Sequence, residues 1–128
     1  MATAGATKVK GVDAAYYFVK DLDRATKFYT DLLGSPPTLV YDGFVAEWTF
    51  GGNETFGIFK APEGEWHEGH GMLFAVDDIH SAVDDYKQRG IRFDEDPLID
   101  ESPGCFMASG YDTEGNKFVI HQRKQQGN

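Results

Sequence analysis

Few side chains in this 128-residue sequence are equipped for chemistry. His67 and His70 stand three residues apart, but glycines flank them and no third donor is close, so a loop fits them better than a metal site. His80 falls in the first turn of a helix-like run and is expected to face solvent. Cys105 sits in a strand-like run without an adjacent base and reads as a small buried apolar residue. Asp94-Glu95-Asp96 and Asp100-Glu101 lack the spaced Asp/Asn–Gly–Glu pattern of a calcium loop, so a solvated turn is the better account. Two candidates remain. Glu47, beside Trp48, could balance a cationic ligand or act as a base with a raised pKa, if it faces a pocket. It could equally face water while Trp48 fills the core. His121, near the end of the last strand-like run, is the other candidate base, against the plainer reading of a strand-end histidine bonded to backbone or water.

The elements that must position these groups occur twice. Val19-Lys20-Asp21-Leu22 and Val76-Asp77-Asp78-Ile79 lie 57 residues apart, each between an apolar run and an amphipathic one. Leu22, Ala25, Phe28, Leu32 and Leu33 recur at helical spacing, with Asp21 placed to cap the N-terminus and Gly34 to supply a left-handed stop. Ile79, Ala82, Val83 and Tyr86 repeat the stripe between Asp78 and Gly90. Gly52-Asn53 and Gly115-Asn116 then mark hairpins 63 residues apart, which places the extra residues of the second copy in the polar stretch 94–104. Strands are expected near 12–19, 37–41, 44–50, 54–59, 71–76, 92–94, 105–109 and 117–121, and helices at 22–33 and 79–89. Each half thus reads strand, helix, strand, strand, strand, with 61–69 as linker. One helix can cover only one face of its sheet, so the other face must line a cavity, meet the other half, or meet a second chain.

Composition sets outer limits. A chain 41% apolar and 14% aromatic can build one core, so residues 1–128 are expected to form a single domain of two repeats, about 9–60 and 70–124. No apolar run approaches a membrane span and no signal peptide is visible; with a lone cysteine, this suggests a reducing cytoplasm. The net charge of −9 argues against nucleic acid and mildly favours a cationic ligand, though keeping the protein soluble is the plainer account of it.

At the level of motifs the chain resembles the vicinal oxygen chelate superfamily, which includes glyoxalase I, extradiol dioxygenases, fosfomycin-resistance enzymes and bleomycin-resistance proteins. The resemblance rests on 16–25 with Phe28-Tyr29-Thr30-Asp31-Leu32-Leu33-Gly34, on Phe74-Ala75-Val76-Asp77-Asp78-Ile79, and on Asp112-Thr113-Glu114-Gly115-Asn116-Lys117 entering the last strand. The family's Asp-Pro-Asp-Gly-Asn is matched there at three of five positions. It implies an α+β fold of two βαβββ modules, curved sheet around a cleft. Metalloenzymes of the family take ligands seven residues before each capping Asp and four after each turn Gly. Those positions hold Ala14, Gly71, Phe56 and Val119, none of which can ligate. His70, one residue from a ligand position, would reach the cavity only through a bulge.

Counting by twos from those positions puts Tyr16, Phe18, Phe56, Ile58, Leu73, Ala75 and His121 on the face that lines the family's cavity, with Trp48 a further candidate. The expectation is therefore a metal-independent small-molecule-binding protein, resembling bleomycin-resistance proteins, that holds an aromatic or cationic ligand and forms a homodimer. No cofactor, nucleic acid or membrane partner is expected. The competing expectation is a lyase, isomerase or dioxygenase-type enzyme of the same superfamily, using an off-pattern divalent metal site (His70, His121, Glu47) or Glu47 or His121 as general base.

Overall fold

The computed structural model describes residues 7–8, 11–69 and 71–124. His70 lies outside the described residues. The order of elements is β1 (Ala14–Val19), α1 (Leu22–Leu33), β2 (Leu39–Tyr41), β3 (Val45–Thr49) and β4 (Thr55–Lys60), then β5 (Met72–Ala75), α2 (Ile79–Gln88), β6 (Arg92–Phe93), β7 (Asp100–Glu101), β8 (Cys105–Tyr111) and β9 (Lys117–Arg123). The fold is α+β, two βαβββ halves giving two separate sheets. The first runs β1-β4-β3-β2 and the second β5-β9-β8-β6. In each, the first strand pairs in parallel with the last, and the remaining pairings are antiparallel. The extra residues of the second half form β7, an unexpected short strand that pairs with β8.

Both helices begin as their caps dictate. The Asp21 carboxylate accepts from Arg24 N, and the Asp78 carboxylate from His80 N and Ser81 N. Gly34 closes α1 at φ 81°, and Gly90 follows α2 at φ 88°. On α1 the buried stripe is Leu22, Ala25, Tyr29 and Leu32, so Tyr29 takes the central place expected for Phe28. No helix among the described residues is long and apolar enough to cross a membrane.

The helix-covered sides of both sheets turn toward one shared cluster. Phe56 of β4 meets Phe74 of β5 with ring centroids 5.0 Å apart, and Phe28 of α1 meets Phe118 of β9 at 6.0 Å. Tyr29 sits between the halves, against Trp48, Phe56 and Phe74. Its hydroxyl donates to Asp112 Oδ2 at 2.7 Å. That carboxylate is the hub of a seam joining the second hairpin to the first half. Asp112 also accepts from Glu114 N, Asn116 N and Asn116 Nδ2. Asn116, fully buried, donates to Phe18 O and accepts from Gly69 N, while Tyr17 donates to Lys117 O. Asp21 N donates to Glu114, and Arg24 to Thr113 O. Buried polar groups of this kind are stable only when every partner is present.

Burial, then the charge and hydrogen bond of Asp112, push the Tyr29 hydroxyl far above the ordinary tyrosine value of 10.0. A phenol whose pKa is raised on folding contributes stability that is intact below about pH 10 and lost as pH rises, because only the unfolded chain then releases the proton. The expected result is a fall of about 1.4 kcal/mol in unfolding free energy per pH unit above 10, read from urea midpoints between pH 9 and 11.

Candidate functional site

Because both covered sides share one core, the uncovered side of each sheet faces outward, and the chain presents two half-sites rather than one closed cleft. The first lies on β1, β3 and β4. Register aligns Tyr16, Gly57 and Glu47 in one row across the three strands, and Phe18 with Phe59 and Val45 in the next. Gly57 has a specific role here. The Tyr16 ring lies over it, where a Cβ would collide with the ring, and the Tyr16 hydroxyl reaches across to donate to Glu47 Oε2. That hydrogen bond, with smaller contributions from partial burial and the carboxylate charge, raises the pKa of Tyr16. Phe59 packs tilted against Tyr16 at 4.7 Å and edge-on to Phe44 at 5.3 Å, and His67 closes the far end against Phe18 at 5.0 Å. The result is an aromatic shelf holding one anchored carboxylate.

The geometry gives a direct test. Gly57→Ala is expected to swing Tyr16 off Glu47 and bring its titration down toward that of an ordinary tyrosine, followed by NMR of ring-labelled tyrosine. Because Tyr16 is 39% exposed, the cost in stability should stay near ~1 kcal/mol.

The second half-site lies on β5, β8 and β9. Its rows are Leu73–Val119–Ser109 and Ala75–His121–Met107. His121 therefore projects from the uncovered side, between a small residue and a thioether, and no hydrogen-bond partner orients it among the described residues. Segment 94–100 folds over this face and leaves a cavity of about 200 Å³ above Met107, Ser109 and Val119.

Tyr16, Phe18, Leu73 and His121 stand on the uncovered sides that counting by twos gives them, though on two different sheets, and Glu47, whose side the sequence leaves open, joins the first. Trp48, Phe56 and Ile58 do not. They are 1%, 2% and 0% exposed, on the helix-covered side. Trp48 fills the core and donates Nε1–H to Ser35 O, leaving Glu47, its neighbour, on the opposite side. For Phe56 and Ile58 the error is a one-residue slip at the turn. Asn53, not Gly52, takes the left-handed position in the first hairpin at φ 73°, matching Gly115 at φ 88°. Equivalent residues are thus 62 apart, and Gly57 rather than Phe56 matches Val119. Phe59 and Gly57 are the residues sequence reasoning missed, although a glycine inside a strand signals close approach by another group. Neither Gly57 nor its row neighbours restore a metal site. Ala14, Gly57, Gly71 and Val119 carry no donor, and among the described residues no three His, Cys, Asp or Glu converge. Among the described residues, those at the ligand positions do not fit the family's usual metal.

A profile of the Glyoxalase/Bleomycin resistance protein/Dioxygenase superfamily matches residues 11–120. The chain belongs to this superfamily. Solved structures of the superfamily's fold agree. TnmS3, an antibiotic binding protein from Streptomyces sp. CB03234, is similar over 92% of this chain and 99% of its own, at 18% identity and a TM-score of 0.73. A glyoxalase/bleomycin resistance protein from Albidiferax ferrireducens T118 shares 24% identity over 88% and 98% of the two chains, at a TM-score of 0.69. Lactoylglutathione lyase from Agrobacterium tumefaciens shares 21% identity over 91% and 96%, at 0.68. At these identities the likeness establishes the fold alone. No curated protein sequence matches the chain.

Proposed function

We propose that this superfamily member is a metal-independent binding protein for a flat, cationic or partly apolar small molecule. Its cleft forms when the uncovered side of the first sheet meets that of the second sheet in another copy of the chain. The observation that carries the reading is the Tyr16–Glu47 pair laid over Gly57 beside Phe59: one fixed negative charge on an aromatic shelf. Aromatic faces and a carboxylate together favour a delocalised cation. Charge supports the dimer, because Glu47 marks the first face while Lys117 and His121 mark the second. Exposed Tyr16, Leu39, Tyr41 and Leu73 also leave apolar surface on both sides for a partner to cover. Two such contacts related by a two-fold axis give a closed dimer with two clefts. The antibiotic-binding neighbour makes sequestration of a compound a natural role for this scaffold.

Calorimetric titration with proflavine, a planar cation, tests the reading. Saturable binding is expected, weakened roughly thirtyfold by Glu47→Gln, about 2 kcal/mol for a cation held in a partly desolvated aromatic site. Chelator should change neither affinity nor melting temperature. Elemental analysis finding a stoichiometric transition metal, whose removal lowers the melting temperature, would overturn metal independence. One observation favours the enzyme reading: Glu47 and His121 both stand on uncovered faces, where a composite cleft would bring them near a ligand. Glu47→Gln and His121→Ala that abolish turnover of a screened substrate while leaving its affinity intact would decide for it.

A further inference from the structure

A duplicated chain can be compared with itself, and the two junctions between its halves differ. Phe50 N donates to Glu54 O at 2.9 Å, as Asp112 N does to Asn116 O, so Phe50 and Glu54 are the counterparts of Asp112 and Asn116. Tyr86 is likewise the counterpart of Tyr29, 57 residues on. At the second hairpin the polar members reach into the other half and seal the junction. At the first they do not. Phe50 is 41% exposed, and the Tyr86 hydroxyl turns to Leu32 O at 2.9 Å. A groove of about 650 Å³ is left where the seam would be, and Phe56, Met72, Phe74 and Ile120 line it from the helix-covered side. Leu73, Ala75 and Arg123 line it too, so its mouth reaches the edge of the second half-site while its floor lies on the helix-covered side, away from Tyr16 and Glu47, and its size suits a small molecule.

The groove has a charged mouth. Arg123 lines it, and among the described residues Arg123 makes no ion pair. Glu54, also at the rim, folds its carboxylate back over Gly52. We propose that the groove is a second binding site, for an apolar carboxylate: an alkyl or aryl chain on Phe56, Met72 and Phe74, its anionic head on the Arg123 guanidinium. Apolar walls supply affinity, and the one cation at the mouth supplies selectivity for the anion.

Titration of the full-length protein with decanoate, and with decanol as its neutral counterpart, tests the site. One decanoate per chain is expected, with about tenfold weaker binding in Arg123→Gln and a similar deficit for decanol. Phe50→Glu, at an exposed position, should abolish binding without unfolding the chain, and Glu47→Gln should leave it unchanged. Equal affinity for decanol, or indifference to Arg123→Gln, would overturn the assignment. So would loss of binding in Glu47→Gln in place of Phe50→Glu, which puts the ligand on the uncovered face. Absence of decanoate binding together with a changed oligomeric state in Phe50→Glu would instead assign the groove to a second copy.

Discussion

Asp112→Ala is expected to lower unfolding free energy by about 3–5 kcal/mol, an effect on the scale of breaking a buried charged network. Four donors converge on that carboxylate: the Tyr29 hydroxyl, the Asn116 side-chain amide, and the backbone amides of Glu114 and Asn116. Alanine leaves all of them without their acceptor, and Tyr29 and Asn116 are both 0% exposed, so water cannot replace it. For a chain of 128 residues this corresponds to a drop of roughly 10–20 °C in melting temperature, readable by circular dichroism. Asp112→Asn should fall between, since it keeps one acceptor oxygen but turns an N–H group toward the Asn116 amide. A change below 1 kcal/mol for Asp112→Ala would show that the seam does not hold the halves together.

The second large effect concerns the composite cleft proposed for a dimer of this chain. Tyr16→Arg places a cation on the first uncovered face and Leu73→Arg places one on the second. Each homodimer then carries a damaged face in both clefts, and affinity for proflavine should fall about a hundredfold, on the order of 3 kcal/mol for a misplaced charge. A mixed dimer of the two variants concentrates both defects in one cleft and leaves the other intact. One wild-type site per mixed dimer is therefore expected, counted by titration of doubly tagged, co-expressed protein. Sites wholly within one chain would give no recovery.

Much of the architecture is legible in the sequence. The capping aspartates, the helical stripes after them and the glycines that end them specify α1 and α2 within a residue or two. The uncovered face of β1 is legible through the family resemblance alone, since counting by twos from Ala14 gives Tyr16 and Phe18, while Tyr17 and Val19 between them are equally apolar and are the buried pair. Strand β4 is not legible. Thr55-Phe56-Gly57-Ile58-Phe59 carries aromatic residues on both sides, so hydrophobic alternation cannot say which side the helix covers, and the choice falls to the turn. That turn misleads, since Gly52-Asn53 and Gly115-Asn116 look alike while different members of each pair take the left-handed conformation. Glu47 and Trp48 pose the same problem on β3, resolved only by the cavity in the core that Trp48 fills. How the halves meet is also unwritten at this level, because it depends on long side chains such as Tyr29 and Asn116 finding partners more than 80 residues away.

That seam has a consequence for how the chain is made. The contacts closing it join residues 83, 93, 98 and 100 apart, so the first half leaves the ribosome long before Asp112, Glu114, Asn116 and Lys117 exist to complete it. Until then Tyr29 has no acceptor from the second hairpin and one flank of α1 lacks its cover. Contacts of such long range are slow to form and come late. The nascent first module must therefore wait, partly unsatisfied, for the last hairpin to be synthesised, and a chain cut short before residue 112 would carry both helices and the whole first sheet yet lack both the clasp and β9, the strand that joins β5 to β8.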